Sequence, residues 1–161
     1  MKTPIKVKGF TLIELVMVMV LVGILALAVM SRFADKSTFE TRGFFDQSMD
    51  MLRYAQKVAI AQRTNVFVSV DAVSGRMCLT YVVNNPTCTL TVPPLAPTVI
   101  VTNPANPQWF VITGPAGVTL AASTSFTFLP LGRPSAGQAI VMSGNGATQT
   151  ITVEAETGYV H

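Results

Sequence analysis

Between positions 10 and 30 the chain carries a single strongly polar side chain, Glu14, in an otherwise apolar run. Wound as a helix rising about 1.5 Å per residue, that run covers roughly 31 Å, close to the thickness of a bilayer's hydrocarbon layer. It reads as a membrane helix. An acidic side chain at the centre of such a helix costs on the order of 2.5 to 3.5 kcal/mol, so Glu14 calls for a partner. Glu14 follows Phe10 by four positions, and breakage of the Gly9–Phe10 bond would leave a new α-amine one helical turn from the carboxylate. Two such chains side by side would pair amine with carboxylate. At about 4 Å and an effective dielectric near 20, two unit charges attract by roughly 4 kcal/mol, comparable to the cost of keeping Glu14 in the membrane.

Two plainer readings fit part of the same stretch. Lys2, Lys6 and Lys8, the apolar residues 15–25 and Ala26-Leu27-Ala28 also suit an ordinary secretory signal with an A-x-A cleavage site. That reading leaves Glu14 at the mouth of the apolar region without a purpose. An uncut single-span anchor is the other. The mature N-terminus separates the three: Phe10, Val29 or Met1.

The segment Gly9-Phe10-Thr11-Leu12-Ile13-Glu14, after a short lysine-bearing leader, resembles the class III signal of type IV pilins and type II secretion pseudopilins. The resemblance implies a leader of residues 1–9, cut after Gly9 by a prepilin peptidase that also methylates the amine of Phe10. It also implies an assembly role for Glu14, which neutralises the amine of a neighbouring subunit. Many type IV pilins have a proline toward the end of the apolar half; here Ser31-Arg32 stands in that neighbourhood, so helix melting at that point is not carried over.

Composition bears on what the rest can do. The 161 residues leave room for one modest domain beside the apolar run, and the mean hydropathy of +0.49 owes much to that run. The formal charge of +3 hints at acidic partners, yet without Lys2, Lys6 and Lys8 eight basic residues face eight acidic ones. A neutral mature chain suits packing among similar subunits. The leader lysines instead hold the N-terminus in the cytoplasm by the positive-inside rule, so the remainder lies outside.

Residues 31–63 lack proline and read as a helix continuing from the membrane segment. Phe44, Met51 or Leu52, Ala55, Val58 and Ala59 recur at helical spacing, with Arg42, Asp46, Asp50, Arg53 and Lys57 mostly elsewhere, which makes this half amphipathic. Gly23 and Gly43 are the weak points. After Thr64 the texture becomes β, making residues 64–161 a β-rich domain. Residues 66–70 and 76–83 around Ser74-Gly75 form an expected hairpin. Six prolines, from Pro86 to Pro107, break the next stretch into loops around a short strand at 98–102. Further strands are expected at 109–113, 118–121, 125–129, 139–143, 148–154 and 159–160.

Two further stretches narrow the resemblance to the GspH/FimT group of minor pilins. One is residues 52–63, an alanine-rich helix end closed by Arg63. The other is the pair of segments Phe126-Thr127-Phe128-Leu129-Pro130-Leu131-Gly132-Arg133-Pro134 and Ile151-Thr152-Val153-Glu154-Ala155-Glu156-Thr157-Gly158-Tyr159-Val160. The implied fold is α+β and type IV pilin-like, a long N-terminal helix with a membrane half and an amphipathic half, packed on an antiparallel β-sheet domain. The implied function is that of a structural minor pilin or pseudopilin, with an H-type pseudopilin of type II secretion and a DNA-binding minor pilin as alternatives. The implied partners are other pilin or pseudopilin subunits, the prepilin peptidase/methyltransferase and inner-membrane lipid; the implied place is the inner membrane, then a filament.

Cys78 and Cys88 are the only cysteines. Outside the cytoplasm a disulfide over the intervening loop is the favoured state, with two buried thiols as the alternative. One distant histidine, His161 at a floppy terminus, does not complete a four-ligand metal site, and no cofactor is expected. Catalysis would have to draw on serines, Glu154, Glu156 and that terminus, so enzymatic function is not expected. Glu154 and Glu156 read as sharing one strand face, solvated. Gly114-Pro115-Ala116-Gly117 and Gly144-Asn145-Gly146 lack the lysine of a phosphate loop and read as turns. After residue 76, Arg133 is opposed by Glu154 and Glu156, so phosphate neutralisation, and with it nucleic-acid binding, is not expected.

Overall fold

A computed structural model describes residues 10–30, 36–82, 87–89, 99–144 and 146–161. The leader, the junction at 31–35 and most of the proline-rich stretch lie outside the described residues, and with them the expectation of a helix continuing across residue 31 and the first part of the strand at 98–102. The chain divides into two compact units, Met1–Lys36 and Ser37–His161.

The first unit is helix α1, Leu12–Met30. Its described side chains are exposed on every side, from Leu12 and Ile13 through Val18 and Leu21 to Leu25. A helix that is apolar all round has no face to turn toward water and requires an apolar medium or other helices. Gly23 lies within it.

The second unit is built on helix α2, Lys36–Gln62, which runs through Gly43. Phe44, Met51, Leu52, Ala55, Val58 and Ala59 are buried, as the spacing predicts. The buried stripe also holds Thr41 and Ser48; the Ser48 hydroxyl donates to the Phe44 carbonyl at 2.7 Å, the backbone acceptor one turn back that makes a hydroxyl tolerable there. Helix α2 ends on Arg63 with φ +50°, Arg63 N–H donating to Ile60 O at 3.3 Å and Thr64 N–H to Ala59 O at 3.2 Å. This is a Schellman closure with arginine in the left-handed position that glycine usually fills.

Among the described residues nine strands follow: β1 Val66–Asp71, β2 Arg76–Thr80, β3 Thr102–Asn103, β4 Asn106–Trp109, β5 Val111–Thr113, β6 Val118–Leu120, β7 Thr124–Phe128, β8 Gln138–Gly144 and β9 Ala147–Val153. Rather than one sheet they make three, all antiparallel: β5-β2-β1-β7, β3-β4 and β6-β8-β9. Val66, Val68 and Val70 of β1, Met77 and Leu79 of β2, Phe126 and Phe128 of β7, Ile140 and Met142 of β8 and Ile151 and Val153 of β9 share one core with the buried stripe of α2. The fold is therefore α+β, a helix packed on antiparallel strands. Alternation puts Phe126 and Phe128 on one face, their rings edge to face at 5.4 Å.

The structure corrects four expectations. The strand at 109–113 is two strands parted at Phe110, whose N–H donates to Val101 O at 2.8 Å while its carbonyl accepts from Leu79 N–H at 3.1 Å. Pro107 sits inside β4, in a two-stranded sheet where a missing N–H costs one bond at most. Glu154 and Glu156 do not share a strand face, because β9 ends at Val153 and Glu156 lies in the following turn. The terminus is not floppy: Thr152 N–H donates to His161 O at 2.7 Å and His161 N–H to Thr152 O at 3.1 Å.

Candidate functional site

Helix α1 begins with Thr11 as its N-cap. The Glu14 N–H lies 3.4 Å from Thr11 Oγ1 and 3.1 Å from Thr11 O, and Leu15 N–H donates to Thr11 O at 3.2 Å. Threonine at the cap and glutamate three positions on is the capping-box spacing. It places the Glu14 carboxylate in the first turn, where the partial positive charge of the helix start favours an anion. Phe10, 80% exposed, precedes the helix. Besides its expected pairing with another chain, Glu14 has a local role, which the T-x-x-E spacing carries in the sequence itself. Gly9 lies outside the described residues.

A second constellation gathers the two glycine motifs. Gln56 of α2 donates from Nε2 to Gly132 O and to Thr157 O, each at 3.0 Å. Gly132 (φ +82°) and Gly158 (φ +69°) adopt left-handed conformations there. A Cβ on Gly132 would lie 2.7 Å from Ile60 Cδ1; one on Gly158 would overlap the Gly132 carbonyl oxygen and stand 2.7 Å from Gln56 Nε2. Only glycine lets the two turns meet on the helix. Arg133 pairs with Glu156 across the same junction, and Arg53 Nη2 donates to Val160 O at 3.2 Å. Gln56 and Arg53 thus tie α2 to the end of the chain, contacts that no residue spacing announces.

Cys78 and Cys88 are bonded, with Cα atoms 5.6 Å apart. Cys78 lies opposite Ser69 in the β1–β2 ladder, and Cys88 Sγ rests 3.5 Å from Ser69 O, so residues 87–89 are pinned over those two strands. At the hairpin turn between β1 and β2, the Asp71 carboxylate accepts from the Ser74 hydroxyl and from Val73 N–H at 3.0 Å. The Ser74 hydrogen bond above all, helped by Val73 and by Arg76, holds Asp71 below the ordinary carboxylate range against the opposing effect of burial.

Three of the arginines stand beside acids within the chain. Arg53 lies 4.0 Å from Asp50, Arg133 faces Glu156, and Arg76 faces Asp71. Among the described residues no three His, Cys, Asp or Glu side chains gather as metal ligands would. An open depression of about 400 Å³ between α2 and the β3–β4 turn is lined by Asp50, Arg53, Tyr54, Lys57, Pro104 and Phe110.

Residues 5–30 match the prokaryotic N-terminal methylation motif. Among solved structures the chain is similar to the type IV minor pilin FimU of Pseudomonas aeruginosa strain PAO1, with 14% identity and a TM-score of 0.51 over 80% of this chain and 88% of that one. It is also similar to the minor pseudopilin EpsH from the Type 2 Secretion System of Vibrio cholerae, with 12% identity and a TM-score of 0.52 over 76% of this chain and 94% of that one. The fold is that of the type IV pilins and pseudopilins. With the methylation motif at the start of the chain, it supports membership of that superfamily. No curated protein matches the sequence. In this pilin-like frame the motif occupies the α1 unit, and the two glycine turns close the globular unit.

Proposed function

We propose that the chain is a minor pilin or pseudopilin: a structural, non-enzymatic subunit held in the inner membrane, processed at Gly9–Phe10, methylated on Phe10 and assembled into a filament through Glu14. The observation that carries this reading is a helix with apolar side chains all round, a single acid in its first turn and a methylation motif over the same residues. Among the described residues no helix is long and apolar enough to cross a membrane, the described side chains of α1 ending at Ala26. The backbone of α1 continues to Met30, and its 19 residues span roughly 28 Å. With the apolar residues in the sequence at 27–30, that is a length suited to a single pass.

On this reading the capped first turn holds the Glu14 carboxylate beside the membrane surface, and the amine of a neighbouring Phe10 neutralises it during extraction. The globular unit remains outside the filament core. An H-type pseudopilin of a type II secretion system is the second reading, favoured by the likeness to EpsH over 94% of that chain. With Arg133 set against Glu154 and Glu156 after residue 76, the strand-rich part of the chain has no cluster of cations for a phosphate backbone, which argues against DNA uptake as the role. Glu14→Val tests the assembly role: cleavage of the leader should persist while entry into filaments falls. Normal filament entry by that variant refutes the carboxylate's role.

A further inference from the structure

The outward face of α2 carries its charges in blocks. Asp46, Asp50, Arg53 and Lys57 follow one another at spacings of four, three and four, which puts them on a single stripe, and all four are exposed. Two acids come first and two cations after. Within the helix this order is unfavourable: like charges four apart, Asp46 with Asp50 and Arg53 with Lys57, repel, and Asp50 and Arg53 attract at 4.0 Å. The helix dipole does not account for the order. Its effect is confined to the first and last turns, whereas Asp46 lies ten residues beyond Lys36 and Lys57 five before Gln62. Among the described residues the Asp46 carboxylate and the Lys57 amine have no hydrogen bond or ion pair.

Two parallel copies of α2 resolve the conflict when one is displaced by seven residues along the other. Seven residues make about two turns, roughly 10.5 Å, and return the stripe to the same face. Asp46 then meets Arg53 of the second copy, Asp50 meets its Lys57, and Arg42, also exposed, falls one position from its Asp50. Without displacement every charge meets its like. A displacement of four sets Asp46 against Asp50 and Arg53 against Lys57. The depression of about 400 Å³ opens beside Arg53, Tyr54 and Lys57, so an incoming carboxylate meets both cations in a recess, where less water screens the attraction. Arg53 Nη2 donates to Val160 O at 3.2 Å, and the guanidinium's five N–H donors leave others to take part.

We propose that this stripe joins the globular units of two copies of the chain, each α2 lying parallel to the other and displaced by two turns. An antiparallel pair also matches the charges, Asp46 with Lys57 and Asp50 with Arg53. It sets the two α2 starts roughly 46 Å apart, against roughly 10 Å in the parallel pair. Chains that enter one membrane in one direction favour the parallel pair. The contact rests on the filament reading and adds to it a register. Because the contact is displaced rather than twofold, each copy offers acids to one neighbour and cations to the next, so it propagates instead of closing.

The test uses the full chain in its native membrane, with the Cys78–Cys88 disulfide kept and two differently tagged copies made together. Asp50→Cys in one copy and Lys57→Cys in the other should link under mild oxidation, since facing positions of packed helices come within the range a disulfide spans. Asp46→Cys with Lys57→Cys, the pair that the antiparallel arrangement would join, should link little. So should Val73→Cys with itself, at a position 96% exposed on the β1–β2 turn. Adding Asp46→Lys to the first copy sets a cation against Arg53 of the second and should lower the link between positions 50 and 57 by roughly three- to tenfold. Arg53→Glu in the second copy should restore it, which a damaged fold would not do. N-terminal analysis of the same samples separates the two claims. A chain that starts at Phe10 but links no better at 50 and 57 than at Val73, or better at 46 and 57, overturns the stacking and leaves the filament reading standing. Linkage undiminished by Asp46→Lys also overturns the stacking, and a chain still starting at Met1 overturns both.

Discussion

Replacing Gly158 by alanine should damage the globular unit far more than the same change at Gly146, and the difference measures the junction of the two glycine turns. Both residues adopt left-handed backbones, φ +69° and φ +77°. A side chain in that conformation costs about 1–2 kcal/mol, partly offset by about 0.4–1 kcal/mol from the stiffer unfolded chain. For Gly146→Ala that is the whole effect, because a Cβ there meets nothing within 4 Å. At Gly158 the new methyl would overlap the Gly132 carbonyl oxygen and press on Gln56 Nε2 at 2.7 Å. The turns must part, and the two bonds from Gln56 to Gly132 and Thr157, 3.0 Å each, are broken. At about 1 kcal/mol per bond this adds roughly 2 kcal/mol, for a total near 3 kcal/mol. In a unit of this size that lowers the melting temperature by roughly 10 °C, against a few degrees for Gly146→Ala. Thermal unfolding followed through Trp109, whose indole N–H donates to Leu79 O at 2.8 Å, reads both. Equal shifts for the two variants would refute the tight meeting of turns on α2.

Other consequences are as direct. Removing the disulfide by Cys78→Ala with Cys88→Ala opens a loop of sequence separation 10 and should cost about 2–3 kcal/mol on loop entropy, seen as a lower urea midpoint. Because the Asp71 carboxyl sits below its ordinary value in the folded state, its contribution is present above about pH 4 and is lost as pH falls through the lowered value. Asp71→Asn should therefore flatten the acid side of the stability profile and leave less to lose below pH 4; an unchanged acid slope would contradict this. Glu14→Val should separate leader cleavage from filament entry, as set out above.

Much of the globular unit could be read from spacing because two periodicities dominate it. The stripe Phe44, Met51, Leu52, Ala55, Val58, Ala59 has one helical face to bury, and Val66, Val68, Val70 or Phe126, Phe128 alternate in a way only a strand explains. Where backbone pairing rather than side-chain pattern sets the structure, spacing failed. The break at Phe110 comes from a change of partner between Val101 and Leu79, and Pro107 is tolerated by the position of β4 rather than by its own preferences. Gln56 was invisible for a similar reason: a glutamine on an exposed-looking helix position carries no mark of the two distant carbonyls it holds. Thr11 is legible in the sequence, since T-x-x-E ahead of an apolar run is itself a helix-start signal. The splitting of the strands into three sheets was beyond any local pattern.

How the chain begins once made separates an assembled subunit from a secreted or simply anchored protein. Intact-mass and N-terminal analysis of the native protein should find a chain starting at Phe10 with one methyl group on its amine. A protein that still begins at Met1, or one trimmed to Val29 and released from the membrane, would contradict it.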